Sequence, residues 1–274
     1  MTSDDVESHY SRGDLYQVIL DALRSAGKDI ENLRPGDLEP LDHFHGRGVA
    51  ATSEMAASLG LSGDDEVLDI GSGVGGPARF VARTYGCRVV GIDLTAEFCA
   101  VAERLTQAVG LSGKVRFEQA SATNLPFDDS RFQAAYSQNV SMNIADKGAM
   151  FGEAYRVLCP GGVFALSELA LGNGGDVIYP TPWSSDGVHS YLLSEADTVA
   201  ALEGAGFDVV SVTDNYAAVR RFRQEQKELV ARDGPPKLST FILMGDGAGE
   251  KSRNTARNLE EGRTRAIEIL CRRP

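Results

Sequence analysis

Apolar residues Leu15, Val18, Ile19, Leu20 and Leu23 recur at close to helical spacing, so residues 14–26 predict an amphipathic helix. Pro35-Gly36 and Pro40 predict loops after it, and Val49 to Leu59 a second helix. From there short apolar runs alternate with amphipathic ones. Strands are predicted at 66–71, 87–92, 114–118, 131–137 and 163–169, and helices at 77–85, 95–109 and 146–158. Cys159-Pro160-Gly161-Gly162 is expected to break the last helix before its strand. This alternation implies right-handed crossovers, a mostly parallel sheet and helices on both faces, an α/β fold.

After Leu171 the pattern changes. Gly172-Asn173-Gly174-Gly175 and Pro180-Thr181-Pro182-Trp183 predict an irregular excursion. Ser194 and Asp197 make a capping-box-like start for a helix that ends near Gly204 or Gly206. A strand is expected at 207–213, helices at 216–232 and 249–262, and a closing strand from Arg265 to Leu270.

The first strand runs into Glu66-Val67-Leu68-Asp69-Ile70-Gly71-Ser72-Gly73-Val74-Gly75-Gly76-Pro77. An apolar run, an acid, a glycine turn and a proline at a helix start give strand, tight loop and helix. That geometry brings a nucleotide-like ligand against bare backbone. Gly71, Gly73 and Gly76 satisfy G-x-G-x-x-G, a fingerprint only in such a context. A second strand ends at Asp93, 24 residues after Asp69, where an acid can hold both hydroxyls of a ribose. Asp69, two residues before Gly71, would repel a pyrophosphate. It suits a ligand that carries an ammonium and a sulfonium instead.

This segment resembles motif I of the class I S-adenosylmethionine-dependent methyltransferases, whose pattern there is acid-x-Gly-x-Gly. The chain is most similar to the small-molecule branch containing sarcosine/dimethylglycine and phosphoethanolamine methyltransferases. The matching pieces are Gly46-Arg47-Gly48-Val49-Ala50-Ala51-Thr52, Val67 to Phe80, Gly91-Ile92-Asp93-Leu94 and Leu158-Cys159-Pro160-Gly161-Gly162. The resemblance implies a Rossmann-like, seven-stranded, mostly parallel sheet with a late antiparallel strand and a helical cap. It implies one methyltransferase domain over 1–274: a helical lid at 1–60, a cofactor-binding core at 61–213, a cap at 214–262 and a closing strand at 263–274.

On that resemblance S-adenosyl-L-methionine is the cofactor and a small-molecule methyl acceptor the partner. Gly71 and Gly73 admit the methionine moiety, and Asp69 holds its ammonium side. Asp93 takes the ribose hydroxyls, and Leu94 packs on the adenine. Ser121 stands where the family often has an acid for the adenine amino group, so adenine recognition falls to Ser121 and Ala122. Gln138, after the fourth strand, faces the sulfonium side. Asn139 and Asn143 replace an Asp and a His of the phosphoethanolamine enzymes, while Tyr10 matches their N-terminal Tyr. Tyr10, His43 and His45 are the candidates for proton removal, since no titratable base follows the fourth strand. Methyl transfer is an in-line displacement, so alignment supplies much of the rate. Nitrogen, oxygen and carbon acceptors all stay open, an amine such as a methylated glycine among them. A nicotinamide-dependent oxidoreductase and a catalytically idle binding protein are the alternatives of other classes.

With 274 residues, 42% hydrophobic and 24% charged, the chain has room for a sizeable core. A formal net charge of −12 argues against nucleic-acid or anionic-membrane partners. The four cysteines and four histidines show no metal-ligand spacing, so no metal is expected and the thiols read as reduced, in a cytoplasmic protein. The acidic start Met1-Thr2-Ser3-Asp4-Asp5 is no signal peptide, and no apolar run is long enough to span a membrane.

Overall fold

The computed structural model describes Tyr10 and residues 13–274; the acidic run Met1 to Asp5 lies outside the described residues. The strands are β1 (Glu66–Ile70), β2 (Arg88–Asp93), β3 (Val115–Gln119), β4 (Phe132–Gln138), β5 (Leu158–Leu171), β6 (Asp208–Asp214) and β7 (Thr264–Arg272). Among the described residues they form one seven-stranded sheet in the order β3-β2-β1-β4-β5-β7-β6. Pairings from β3 to β5 are parallel, and β7 runs antiparallel to both β5 and β6. This is the Rossmann-like sheet that the resemblance implies. Its order reverses at the β1–β4 junction, and a crevice opens there beyond the carboxyl ends of the strands.

Among the described residues the helices α1 (Leu15–Ser25), α2 (Pro35–Asp42) and α3 (Val49–Ser58) precede the sheet. Four connect its strands: α4 (Gly76–Tyr85), α5 (Ala96–Ala108), α6 (Lys147–Val157) and α7 (Glu195–Gly204). The cap between β6 and β7 is α8 (Tyr216–Asp233), the single turn α9 (Phe241–Met244) and α10 (Ala248–Glu260). Ser194 caps α7 as its sequence predicts, accepting the Asp197 amide at 3.1 Å. The amides of Gly13 and Leu15 at the start of α1 instead bond a distant carboxylate, Glu97 of α5, each at 2.9 Å.

One face of the sheet packs Leu68, Ile92, Phe132 and Phe164 against Phe151 and Leu202 of α6 and α7. The other packs Val67, Val89 and Tyr136 against α3 and α4. A third apolar cluster joins Leu15, Ile19 and Leu23 of α1 with Phe98 of α5 and with Leu238 and Leu243 of the cap. The first helix and the helices between β6 and β7 therefore share one apolar cluster.

Two elements depart from the sequence reading. Pro35-Gly36 and Pro40 fall inside the helix α2, not in loops. Pro35 occupies the first turn, where its missing N–H has no helical partner anyway. The Arg34 amide bonds the Asp37 carboxylate at 2.9 Å. Pro40 costs about 3 kcal/mol in a helix interior. Burying Leu38 and Leu41 to 0% and 1% exposure offsets it, at about 1.5–3 kcal/mol each. At Cys159-Pro160-Gly161-Gly162 the chain does not pause between helix and strand. Leu158 already pairs with Phe132, and a register shift before the Ala134–Val163 pair absorbs the tetrapeptide within β5.

The helices before the sheet are fastened to it by a buried ion pair. Arg79 of α4 is 2% exposed and Asp42, at the end of α2, 7%. Their Nη2 and Oδ1 atoms lie 2.5 Å apart. Arg79 Nη1 also donates to the Val74 carbonyl at 2.9 Å and to Thr106 Oγ1 at 3.2 Å. Gly76 permits this approach, because a Cβ there would run into the Asp42 carbonyl. Asp42→Ala leaves a buried guanidinium without its counter-charge and is expected to cost about 3–5 kcal/mol in urea unfolding. A cost below about 1 kcal/mol, the range of exposed pairs, would contradict the fastening role.

Candidate active site

The β1 turn is shaped by glycine. Gly71 and Gly73 have φ of +80° and +52°, left-handed backbone that glycine adopts without strain. A Cβ on Gly71 would also enter the side chain of Val140, in the turn after β4. Four amides of this turn already have acceptors. Gly71 and Ser72 donate to the Ile92 carbonyl, both at 2.8 Å, and Gly75 donates to the Ser72 carbonyl at 2.9 Å. Gly73 donates to Asp93 Oδ2 at 2.9 Å. The turn thus supplies room more than donors, whereas a pyrophosphate needs free amides.

Asp93 also accepts the Thr95 amide on Oδ1 at 2.9 Å. The Thr95 hydroxyl and the Leu94 amide also act on this carboxylate. Burial pushes its carboxyl above the usual range. Asp69 is 2% exposed, and its Oδ2 has no hydrogen-bond partner. Burial pushes the Asp69 carboxyl up to about 8; the neighbouring Tyr136 phenol opposes the shift and the charge of Asp93 adds to it.

At the ends of β2 and β3, Leu94, Ser121 and Ala122 border the same space. The Ser121 and Thr123 hydroxyls lie 2.8 Å apart. After β4, Asn139 has φ of +56° and anchors its amide on the Ser167 carbonyl at 2.8 Å. Gln138 places its Oε1 3.3 Å from the Thr52 hydroxyl, and its buried Nε2 has no partner.

Thr52 of α3 ties the two histidines into this corner. Its Oγ1 lies 2.9 Å from His43 Nδ1 and 2.9 Å from His45 Nε2. A hydroxyl has one proton and two lone pairs. All three bonds form at once when both rings are N–H donors and Thr52 donates to Gln138. Burial pushes His43 down to about 4 and His45 down to about 3, so both rings are neutral at pH 7.

Tyr10 reaches the site from the N-terminal segment. Its hydroxyl donates to Asn143 Oδ1 at 3.1 Å. Asn143 Nδ2 donates to the carbonyls of Trp183 at 2.8 Å and His189 at 3.3 Å. Burial, then the charge of Asp93, holds the Tyr10 phenol far above its ordinary value, so it stays protonated. The indole Nε1 of Trp183 is held by Ser190 Oγ at 2.9 Å.

The sequence reading passed over Glu168. It sits on β5 at 4% exposure. Its Oε1 accepts the amides of Val140 at 3.3 Å and Ser141 at 3.0 Å, while its buried Oε2 has no partner. Burial pushes it up to about 7. The sequence signal was an acid in a largely apolar strand.

One cavity of about 1280 Å³ gathers Tyr10, His43, His45, Asp69, Gly71, Gly73, Asp93, Leu94, Ser121, Ala122, Gln138 and Glu168. It continues beneath the cap, between Phe222, Val230, Leu238, Phe241 and Met244, with Arg223 and Lys227 on the α8 side. Arg220 and Arg221, from the same basic run, are exposed. Among the described residues no group of three or more His, Cys, Asp or Glu could hold a metal ion, and no helix is long and apolar enough to cross a membrane.

Residues 68–166 match the model of the methyltransferase domain family. This segment is a methyltransferase domain, of the class I S-adenosylmethionine-dependent fold. A phosphoethanolamine N-methyltransferase of Triticum aestivum is 35% identical over 195 residues, covering 71% of this chain and 38% of that one. Methyltransferase GfsG of Streptomyces halstedii is 29% identical over 245 residues, covering 87% and 84%. The structure of Haemonchus contortus phosphoethanolamine N-methyltransferase 2 superposes with a TM-score of 0.74 at 20% identity, covering 98% of this chain and 60% of that one. The chain spans 34% of a matched sterol 24-C-methyltransferase and 51% of methyltransferase phqN, about a third to a half of their length.

The buried Asp69 carboxyl makes a stability prediction. Its folded pKa is raised from 3.8 to about 8. Below the unfolded value both states are protonated and its burial costs nothing. As pH rises the unfolded state ionises first, and stability is lost until the folded carboxyl ionises near pH 8. Asp69→Asn is therefore expected to stabilise the ligand-free protein above pH 8, by on the order of a few kcal/mol, and to change little below pH 4. Thermal unfolding across that range checks it; equal differences at both ends would contradict the burial argument.

Proposed function

We propose that this protein binds S-adenosylmethionine beyond the carboxyl ends of β1 to β4 and transfers its methyl group to a small molecule seated beneath the cap. The observation that carries this reading is one continuous cavity, with acids at the strand ends and apolar walls under the cap. The residues fit the cofactor. Asp93 ends β2 on the cavity wall, where an acid can take the two ribose hydroxyls. Leu94 flanks the adenine position, with Ser121 and Ala122 at its edge. The orphaned Asp69 Oδ2 and Gln138 Nε2 suit the charged methionine end, and Gly71 and Gly73 leave it room. The engaged amides of Gly71, Ser72, Gly73 and Gly75 support this cofactor over a nicotinamide dinucleotide.

When bound, S-adenosylmethionine supplies an electrophilic methyl carbon and a thioether leaving group. The protein's task is alignment and exclusion of water, for which effective molarities reach about 10⁵ M or more. The Tyr10–Asn143 bond closes the front of the site. The neutral His43–Thr52–His45 cluster orients Gln138. In this reading Tyr10, His43 and His45 orient their neighbours and carry no proton away. The phenol is held protonated, and rings that titrate near 4 and 3 are weak bases.

The chain works here as one unit, with lid (1–60), core (61–213), cap (214–262) and closing strand (263–274). The apolar cluster shared by lid, α5 and cap supports that unity. The apolar lobe favours an oxygen or carbon acceptor on a larger apolar molecule over an amine as small as a methylated glycine. Free thiols at Cys87, Cys99, Cys159 and Cys271 suit a reducing, cytoplasmic setting.

Calorimetry tests the cofactor. S-adenosylhomocysteine is expected to bind and NADH not to. Asp93→Ala is expected to weaken S-adenosylhomocysteine at least tenfold, about 1.4 kcal/mol, with the fold intact. Unchanged affinity would remove Asp93 from the site. Transfer of labelled methyl to a panel of apolar phenols, enols and amines tests the activity. On an acceptor so found, Tyr10→Phe and His45→Ala are each expected to lose less than about 10²-fold in single-turnover rate, the lower bound for a positioned general base. A larger loss with cofactor affinity preserved would make that residue the base.

A further inference from the structure

Glu168 is over-equipped for a structural part. Its Oε1 alone caps the amides of Val140 and Ser141. A glutamine carbonyl would serve those two amides equally, without the cost of burying a carboxylate. The other oxygen, Oε2, is buried, unpartnered and part of a side chain that borders the cavity. Lys147 does not neutralise it by contact, since its ammonium donates to the carbonyls of Ser141 and Ile144, the latter at 2.7 Å. Glu168 sits beside the post-β4 turn, which is also where Gln138 and Asn139 stand.

We infer that Glu168 Oε2 takes the proton that the acceptor gives up during methyl transfer, an inference that rests on the function proposed above. The acceptor's nucleophilic atom forms the new bond to the methyl carbon, and the carbon–sulfur bond breaks with its electron pair left on sulfur. The proton on the nucleophile passes to the Glu168 carboxylate, which becomes a neutral carboxylic acid, while the electrons of that bond stay with the nucleophile. The acceptors concerned therefore carry a proton on the reacting atom: a phenol, an enol or an N–H amine. Tertiary amines need no such base.

The electrostatics of the corner agree. Burial raises Glu168 to about 7, against the Val140 and Ser141 amides, the Ser141 hydroxyl and the attraction of Lys147. Its register partner on β7, Ile267, brings no charge. Lys147 is itself pushed down to about 8 by burial. A base of this kind works when ionised, so the transfer rate rises with pH through about 7.

The test compares wild type, Glu168→Gln and Glu168→Asp. Infrared titration of the S-adenosylhomocysteine complex is expected to show a carboxyl that ionises near pH 7 and is missing from Glu168→Gln. Calorimetry is expected to give S-adenosylhomocysteine affinities within threefold of one another. Single-turnover transfer to a phenol or enol is expected to fall about 10²–10⁴-fold in Glu168→Gln, with loss of the rise near pH 7 and partial rescue in Glu168→Asp. Transfer to a tertiary amine is expected to be spared. A Glu168→Gln rate within tenfold of wild type on the proton-bearing acceptor overturns the inference. So does a tenfold loss of S-adenosylhomocysteine affinity, which would make Glu168 a cofactor ligand, or an equal loss on the tertiary amine. If Glu168→Gln does not fold, a Glu168→Asp rate equal to wild type with an unchanged pH profile overturns it as well. Wild type that binds S-adenosylhomocysteine but methylates no acceptor would defeat the transferase reading itself, and the inference with it.

Discussion

The site depends on the buried contact between Arg79 and Asp42. The carboxyl at the end of α2 meets the guanidinium on α4, the helix that starts at the glycine turn. His43, His45 and Arg47 follow Asp42 directly, so their place against the core is set by that pair. Thr52 then carries the constraint through its hydroxyl to Gln138 on β4. The close approach has its own requirement, a residue without a side chain at position 76. The third glycine of the fingerprint therefore serves the seating of the lid. Buried pairs of this kind stabilise little in net terms and cost much to break, so the contact fixes one arrangement more than it adds stability.

Around this frame the cavity is lined by the carboxyls of Asp69, Asp93 and Glu168. All three are pushed above the usual carboxylate range by loss of water. Such groups destabilise the empty protein once ionised, and a cluster of them in a cleft marks a functional site. Their field favours a ligand with positive charge, which an ammonium and a sulfonium provide and a pyrophosphate does not. The chain's overall charge of −12 contributes less, because solvent screens distant surface charges over about 10 Å.

The sheet and the cofactor side of the site were legible because they rest on local signals. Alternating apolar segments placed β1 to β5, and Asp69, Gly71, Gly73 and Asp93 stand at strand ends that the pattern itself locates. What failed was decided by distant partners. Pro35 and Pro40 read as loop, yet α2 survives because Leu38 and Leu41 find a core built by α1, α5 and the cap. Glu168 escaped notice because Phe164, Leu166 and Ala170 of β5 are also buried. In a strand covered on both faces, alternation gives no sign of an acid turned inward. Thr52 was quoted only within a matching segment; its role exists only because two histidines and a glutamine from β4 converge on it.

The central claim is that one cavity seats the cofactor at the strand ends and an acceptor under the cap, with Glu168 between them. A crystal structure with S-adenosylhomocysteine bound tests this most directly. The account predicts both ribose hydroxyls on the Asp93 carboxylate, the amino group on the Asp69 side, and the sulfur facing the apolar lobe beside Glu168 Oε2. A ligand whose ribose lies away from Asp93, or whose sulfur faces away from the cap lobe, would contradict it.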